Sequence, residues 1–218
     1  MHSPSTQPHG GSANSAAIRN VFVRRVHQLV QLGFERLTPA EYAQAQEPDI
    51  TGDLAQAIDH VLSERVKPWM DKFSVHDDPP VHDGRRKGKR RKRVDLRIDF
   101  ADSPRARFRF ESKRLGKHHR VSVYLGPEGL GCFLRGDYAR NENEAGMLGY
   151  IQSGDAVDWA NQLSMALVKS FGDYEVDAHD PFVPSPAGIS ALPSYCSKHE
   201  RKAVGVPIVL YHTLLKFH

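Results

Sequence analysis

Cysteine is nearly absent from this chain. Cys132 and Cys196 are the only two in 218 residues, and neither stands in a CxxC or a paired Cys/His spacing. That pattern argues against a disulfide framework and a zinc ribbon, and leaves a reducing cytoplasm as the expected compartment. Long apolar runs are missing too: none approaches the ~20 residues needed to span a bilayer, and the opening MHSPSTQPHGGSANSA has no apolar signal-peptide core. No Walker loop, dinucleotide fingerprint or internal repeat is present, so no nucleotide-cofactor or solenoid class is signalled. The expectation is a soluble protein without a membrane partner.

Cations are unevenly distributed. Lys and Arg number 30 against 26 Asp and Glu, yet eight of the cations fall within Arg85–Arg93, so the rest of the chain carries 22 against 26. Such a run repels itself and is expected to stay solvated until an anion meets it. Nucleic acid is the expected partner, with Arg85, Arg86, Lys87, Lys89, Arg90, Arg91, Lys92 and Arg93 neutralising phosphates. A localisation signal or a solubilising loop is the competing reading. No aromatic residue interleaves the run, so it carries no sign of base stacking.

This run leads directly into RVDLRIDFADSPRARFRFESKRL, Arg93 to Leu115. Val94, Leu96, Ile98 and Phe100 alternate with Asp95, Arg97 and Asp99, and Phe108 and Phe110 alternate with Arg107, Arg109, Glu111 and Lys113. Period two with one apolar face predicts a half-buried hairpin turning through Ala101–Arg105. Folding it symmetrically about Ser103 sets Asp95 across from Glu111, with Lys113 on the same polar face. Opposed like charges need a compensating cation, and two carboxylates suit Mg²⁺ or Mn²⁺, which bind phosphate through their remaining positions. Phosphodiester hydrolysis is one reading of this spacing. The other is the solvated face of an ordinary amphipathic hairpin.

An Asp on one strand followed by Glu-x-Lys on the next, VDLRIDF then FRFESKRL, resembles the PD-(D/E)XK nuclease superfamily. The resemblance covers roughly Glu47 to Phe171, with a looser echo in the last strand. It implies an α/β, restriction-endonuclease-like mixed central sheet flanked by helices, and a Mg²⁺- or Mn²⁺-dependent endonuclease acting on DNA. It further implies that Asp95 and Glu111 hold the metal and that the Ser112 carbonyl completes coordination. Glu47, before the first core helix, assists as a third acidic residue, with Asp53 the competitor for that place. Lys113 activates the attacking water and stabilises charge at phosphorus, while Arg114, Lys117 and Arg120 extend the positive face. Work beside partner subunits or as a homodimer, including in bacterial defence against phage, belongs to the same implication. The rivals are an inactive nucleic-acid-binding module of the same fold and a structural subunit whose basic loop meets an acidic protein.

The remaining elements follow from periodicity. Residues 1–15 are expected to be a disordered tail, and 16–218 a single domain with a basic loop at 84–93. A helix over Ala16–Leu37 is predicted from Ile18, Val21, Phe22, Val26, Leu29, Val30 and Phe34. A short helix follows Thr38-Pro39, and Thr51 is expected to cap a third helix with its stripe at Leu54, Ile58, Val61 and Leu62. Val121–Leu125 and Gly131–Leu134 read as strands. Asn141–Ile151 and Asp155–Phe171 read as helices, the latter stopped by Gly172. Phe182–Ser194 reads as a loop and Val206–Phe217 as a final strand. His27 and His212 are expected to be structural.

Overall fold

The fold is arranged around one long strand, β3 (Arg107–Leu115), with Phe108 and Phe110 on one side and Glu111 and Lys113 on the other. In the computed structural model, which describes residues 11–81, 92–102, 106–177, 179–186 and 189–218, β3 lies third in a seven-stranded mixed sheet. Helix α1 (Gly11–Phe34), a 3-10 turn (Pro39–Tyr42), α2 (Glu47–Ser63) and a second 3-10 turn (Pro68–Lys72) come first. Then follow β1 (Phe73–Asp77), β2 (Leu96–Phe100), β3, the short helices α3 (Val121–Tyr124) and α4 (Leu130–Leu134), β4 (Glu144–Ile151) and α5 (Ala156–Lys169). The chain closes with β5 (Val183–Pro184), β6 (Ser194–His199) and β7 (Ile208–Lys216), in the sheet order β1-β2-β3-β4-β7-β6-β5.

The central pairs β3/β4 and β4/β7 are parallel and the outer ones antiparallel. A strand flanked by parallel neighbours is covered on both faces, and two cores form accordingly. On one face α1 and α2 bury Phe22, Val26, Leu29, Leu54 and Ile58 against Ile98, Phe108, Phe110 and Tyr150. On the other, α3, α4 and α5 bury Tyr124, Phe133, Leu163 and Leu167 against Leu115, Met147 and Leu214. The architecture is therefore α/β with helices on both faces of a mixed sheet. Gly146 on β4 pairs with Phe110, and a Cβ there would overlap the Phe110 ring, so only glycine lets this aromatic pack flat on its neighbour strand. No helix among the described residues is long and apolar enough to cross a membrane.

Several expected elements change type. Asn141–Ile151 holds a strand, β4, rather than a helix. The spacing of Met147, Leu148 and Ile151 mimics a helical stripe, but a central strand buried on both faces carries a near-continuous apolar run with no alternation to reveal it. Val121–Tyr124 and Leu130–Leu134 close into single helical turns, with Leu125 N–H donating to Val121 O at 2.9 Å and Arg135 N–H to Gly131 O at 3.1 Å. Helix α1 begins at Gly11 rather than Ala16, and Ile18 and Val21 on its expected stripe are exposed. Helix α2 begins at Glu47, with Gln46 in the N-cap position and making no side-chain cap, so Thr51 lies inside the helix. Helix α5 ends at Lys169 with Ser170 as its cap, before Gly172. Strands β1 and β6 arise from FSVHD, which alternates over only four residues, and from SYCSKH, which does not alternate. The basic run from Arg85 to Arg91 and the turn residues 103–105 lie outside the described residues.

Candidate active site

Strand register carries Asp95 to β3, where its hydrogen bonds go to Ser112 rather than to the expected opposite residue, Glu111. Leu96 pairs with Phe110, Arg97 with Arg109 and Ile98 with Phe108, the symmetric register expected from the hairpin. Asp95 sits at a bend one residue before β2, and its Oδ2 accepts from Ser112 N–H at 2.6 Å and from the Ser112 hydroxyl at 2.7 Å. Val94 turns into the core of the α3–α5 face rather than joining Leu96 and Ile98.

The polar side of β3 is not solvated. Arg109, Glu111 and Lys113 are 8%, 4% and 9% exposed, so the reading of these residues as the water-facing side of an amphipathic hairpin does not hold. Burial of charge demands partners. Lys113 Nζ donates to Glu111 Oε1 and to Glu47 Oε1, each at 2.8 Å, and to the Ser112 carbonyl at 2.6 Å. Glu47 is the first residue of α2, with Pro48 next to it, and carboxylates at that end of a helix are favoured by the backbone dipoles. Its second oxygen accepts from Arg114 N–H at 3.2 Å, which ties the helix start to β3. Asp53 does not reach this cluster; it accepts from the Tyr42 hydroxyl at 3.0 Å on an exposed surface.

Electrostatics follow from this packing. Burial first, and then the Asp95 charge, push the Glu111 carboxyl up to about 8, against the pull of Lys113. Burial alone would lower Lys113, but Glu111, Glu47 and Asp95 together hold its ammonium above the ordinary lysine range. Glu111 Oε2 is buried and has no hydrogen-bond partner among the described residues. Beside these groups opens a cleft of about 350 Å³, lined by Glu47, Thr51, Asp77, Asp78 and Asp95. A wider apolar groove of about 520 Å³ between α1 and Trp69, Phe73 and Phe100 contains none of the candidate side chains.

The donor set fits a hard divalent cation. Carboxylates of Asp95, Glu111 and Glu47 and the Ser112 carbonyl are all oxygen ligands, and an unpartnered buried carboxylate oxygen with a raised pKa is what a nearby cation would relieve. The geometry is nevertheless centred on Lys113: no group of three or more His, Cys, Asp or Glu among the described residues converges as a ready metal cluster.

The positive residues are dispersed. Arg114 donates from its guanidinium to the Ala45 carbonyl at 3.3 Å. Lys117 and Arg120 are exposed and line a cleft of about 480 Å³ just past the end of β3, with Ser153 and Gln162. Lys92 pairs with Glu128 at 3.1 Å and Arg93 with Asp78 at 2.6 Å. Asp77 and Asp78 reach the cleft because β1 pairs with β2, placing Asp77 against Leu96. Only recognition of FSVHD as a strand would have found them. Thr51 and Tyr150 also approach Ser112, a contact between α2, β3 and β4 that no sequence spacing signals.

Comparison of the chain with models of known protein families, with curated proteins and with solved structures found no match. A functional reading therefore rests on the site itself.

Proposed function

We propose that this chain is a metal-dependent nuclease of the PD-(D/E)XK type with a restriction-endonuclease-like fold, hydrolysing phosphodiester bonds, with DNA the expected substrate. One observation carries the reading: Lys113 bridges Glu111 and Glu47 at 2.8 Å beside Asp95, at the rim of an acidic cleft. Holding one buried and two half-buried carboxylates around a buried lysine at the end of a strand hairpin is costly, and an arrangement of that kind is commoner at functional sites than in scaffolding.

In this reading Asp95, Glu111, Glu47 and the Ser112 carbonyl would hold Mg²⁺ or Mn²⁺. When bound, the cation would offset developing phosphoryl charge and acidify a water. Lys113 Nζ, whose three N–H donate to Glu111, Glu47 and the Ser112 carbonyl in the metal-free protein, would turn one of them to the attacking water and to the negative charge that develops at phosphorus once a cation takes up those oxygens. The Asp95 carboxylate is held in one plane by two donors from Ser112. Arg114, Lys117, Arg120 and the basic run hold the nucleic-acid backbone in register with these groups.

The experiment is incubation of the purified protein with plasmid, linear DNA and RNA in Mg²⁺, Mn²⁺ or EDTA. Cleavage that requires the metal and disappears in Lys113→Ala is the expected outcome, and absence of cleavage of every substrate in both metals would sink the reading. An inactive binding module of the same fold is the second reading. It is favoured by Lys113 itself supplying the charge that balances Glu47 and Glu111.

A further inference from the structure

Three hydroxyls from three elements meet beneath Asp95. Tyr150 on β4 has its OH 2.9 Å from Thr51 Oγ1 on α2, and Thr51 Oγ1 lies 3.0 Å from Ser112 Oγ on β3. Ser112 Oγ donates in turn to Asp95 Oδ2 at 2.7 Å. Tyr150 and Ser112 are fully buried and Thr51 is 4% exposed, so the protein itself must satisfy these groups.

Counting protons sets the direction of the chain. An ionised carboxylate only accepts, so the single hydroxyl proton of Ser112 is spent on Asp95. The Ser112 oxygen then accepts from Thr51, whose own proton is shared with the Glu47 carbonyl 2.9 Å away. Tyr150 supplies the donor that Thr51 needs, and burial keeps its phenol protonated well above the ordinary tyrosine range. Donation runs one way, from Tyr150 through Thr51 and Ser112 to Asp95, and each link polarises the next.

We propose that Thr51 and Tyr150 are positioning residues that lock the Ser112 hydroxyl onto Oδ2 of Asp95, so that Oδ1 is left to meet a divalent cation. This rests on the assignment of Asp95 as a metal ligand. Both Ser112 donors fall on the same carboxylate oxygen, which fixes the plane of the group. Through the Glu47 carbonyl, Thr51 also joins the first turn of α2 to the same network. Hydrogen-bonding partners of ligating carboxylates commonly carry a 10- to 100-fold effect on metal affinity.

The test is Mn²⁺ titration of the full chain without nucleic acid, followed by the loss of the free-ion electron paramagnetic resonance signal. The wild type, Asp95→Asn, Thr51→Ser and the double variant Thr51→Val/Tyr150→Phe are compared. The double variant removes neighbouring hydroxyls together, which limits the polar atoms left unpaired. The expected results are about 10- to 100-fold weaker Mn²⁺ binding in the double variant and affinity within about threefold of wild type in Thr51→Ser, which keeps the hydroxyl. A folded double variant that binds Mn²⁺ as wild type does would overturn the relay and leave the nuclease reading standing. Wild-type protein with no Mn²⁺ site sensitive to Asp95→Asn would overturn both. Should the double variant not fold, Tyr150→Phe alone decides: it removes one hydroxyl and no bulk, and unchanged Mn²⁺ affinity in it would overturn the relay.

Discussion

Lys113 donates to Glu111 Oε1 at 2.8 Å from two residues along the same strand, while the second oxygen of that carboxylate is buried without a partner among the described residues. The ammonium thus balances Glu111 and Glu47 together. Lys113→Ala should abolish cleavage and also destabilise the metal-free protein, by about 3 kcal/mol, because it strands two carboxylates at a buried site. A solvated strand lysine would cost almost nothing. The loss should shrink below about pH 8, where Glu111 takes up a proton. Urea unfolding of both proteins at pH 9 and pH 6 measures it.

Glu111→Gln should reverse the sign. Folding raises the Glu111 pKa from 4.5 to about 8, so the folded state holds the extra proton and wild-type stability from this group falls as pH rises from about 4.5 to 8. The variant has no such proton to lose. Relative to wild type its Tm should therefore climb across that window and hold its advantage above it. Added Mg²⁺ should raise the Tm of the wild type and leave the variant nearly unchanged. A Tm difference that does not vary between pH 5 and pH 9 would count against a buried, electrostatically stressed Glu111.

What could be read along the chain was local. Alternation fixed the faces of β3, and the turn-centred symmetry of the hairpin yielded the register that brings Asp95 to β3. The stripe Leu54, Ile58, Val61 and Leu62 identified the buried side of α2. Polarity misled where tertiary cover decides: Glu111 and Lys113 look like surface residues, yet they lie in the interior because helices pack on both faces of the sheet. Gly146 and Gly149 inside β4 were a legible warning against a helix, whereas α3 imitates strand alternation and α4 a short buried strand, each over too few residues to tell apart. Thr51 and Tyr150 meet Ser112 only once three elements pack, so nothing in their spacing marks them.

Three buried histidines should set the acid limit of the fold. Burial lowers His27 to about 3, His199 to about 4 and His212 to about 3; Ser197 Oγ lies 2.7 Å from a ring nitrogen of both His199 and His212. Their unfolded forms bind protons below about pH 6.5 while the folded forms do not, so stability falls as pH drops from 6.5 toward 4. Each contributes up to about 1.4 kcal/mol per pH unit, and three such groups outweigh the opposite trend from Glu111. His27 is the cleanest to remove, since its Nε2 has no partner among the described residues and its ring packs on Phe108, Phe110 and Tyr211. His27→Leu should flatten the net slope between pH 6 and pH 4.5 by roughly one half, since three histidine protons less the opposing Glu111 proton leave two, and the variant keeps one. An unchanged slope would mean that His27 titrates in the folded state.

The basic run offers the sharpest separation of nuclease from binding module. It enters the chain immediately before Asp95, with Lys92 and Arg93 at its end already engaged by Glu128 and Asp78. Replacing Arg85, Arg86, Lys87, Lys89 and Arg90 with Ser should weaken nucleic-acid binding regardless of sequence. It should also lower the slope of log affinity against log salt by about 0.9 for each duplex phosphate that the run no longer neutralises. Cleavage should fall through affinity. At saturating substrate and low salt the chemical step should keep the wild-type rate, because Asp95 and Lys113 are held by hydrogen bonds to Ser112, Glu111 and Glu47. Fluorescence anisotropy across a salt series, paired with single-turnover cleavage, distinguishes the two steps. Unchanged affinity and slope would assign the run to localisation or a protein contact, and would move the search for the phosphate-binding surface to Lys117 and Arg120 past the end of β3.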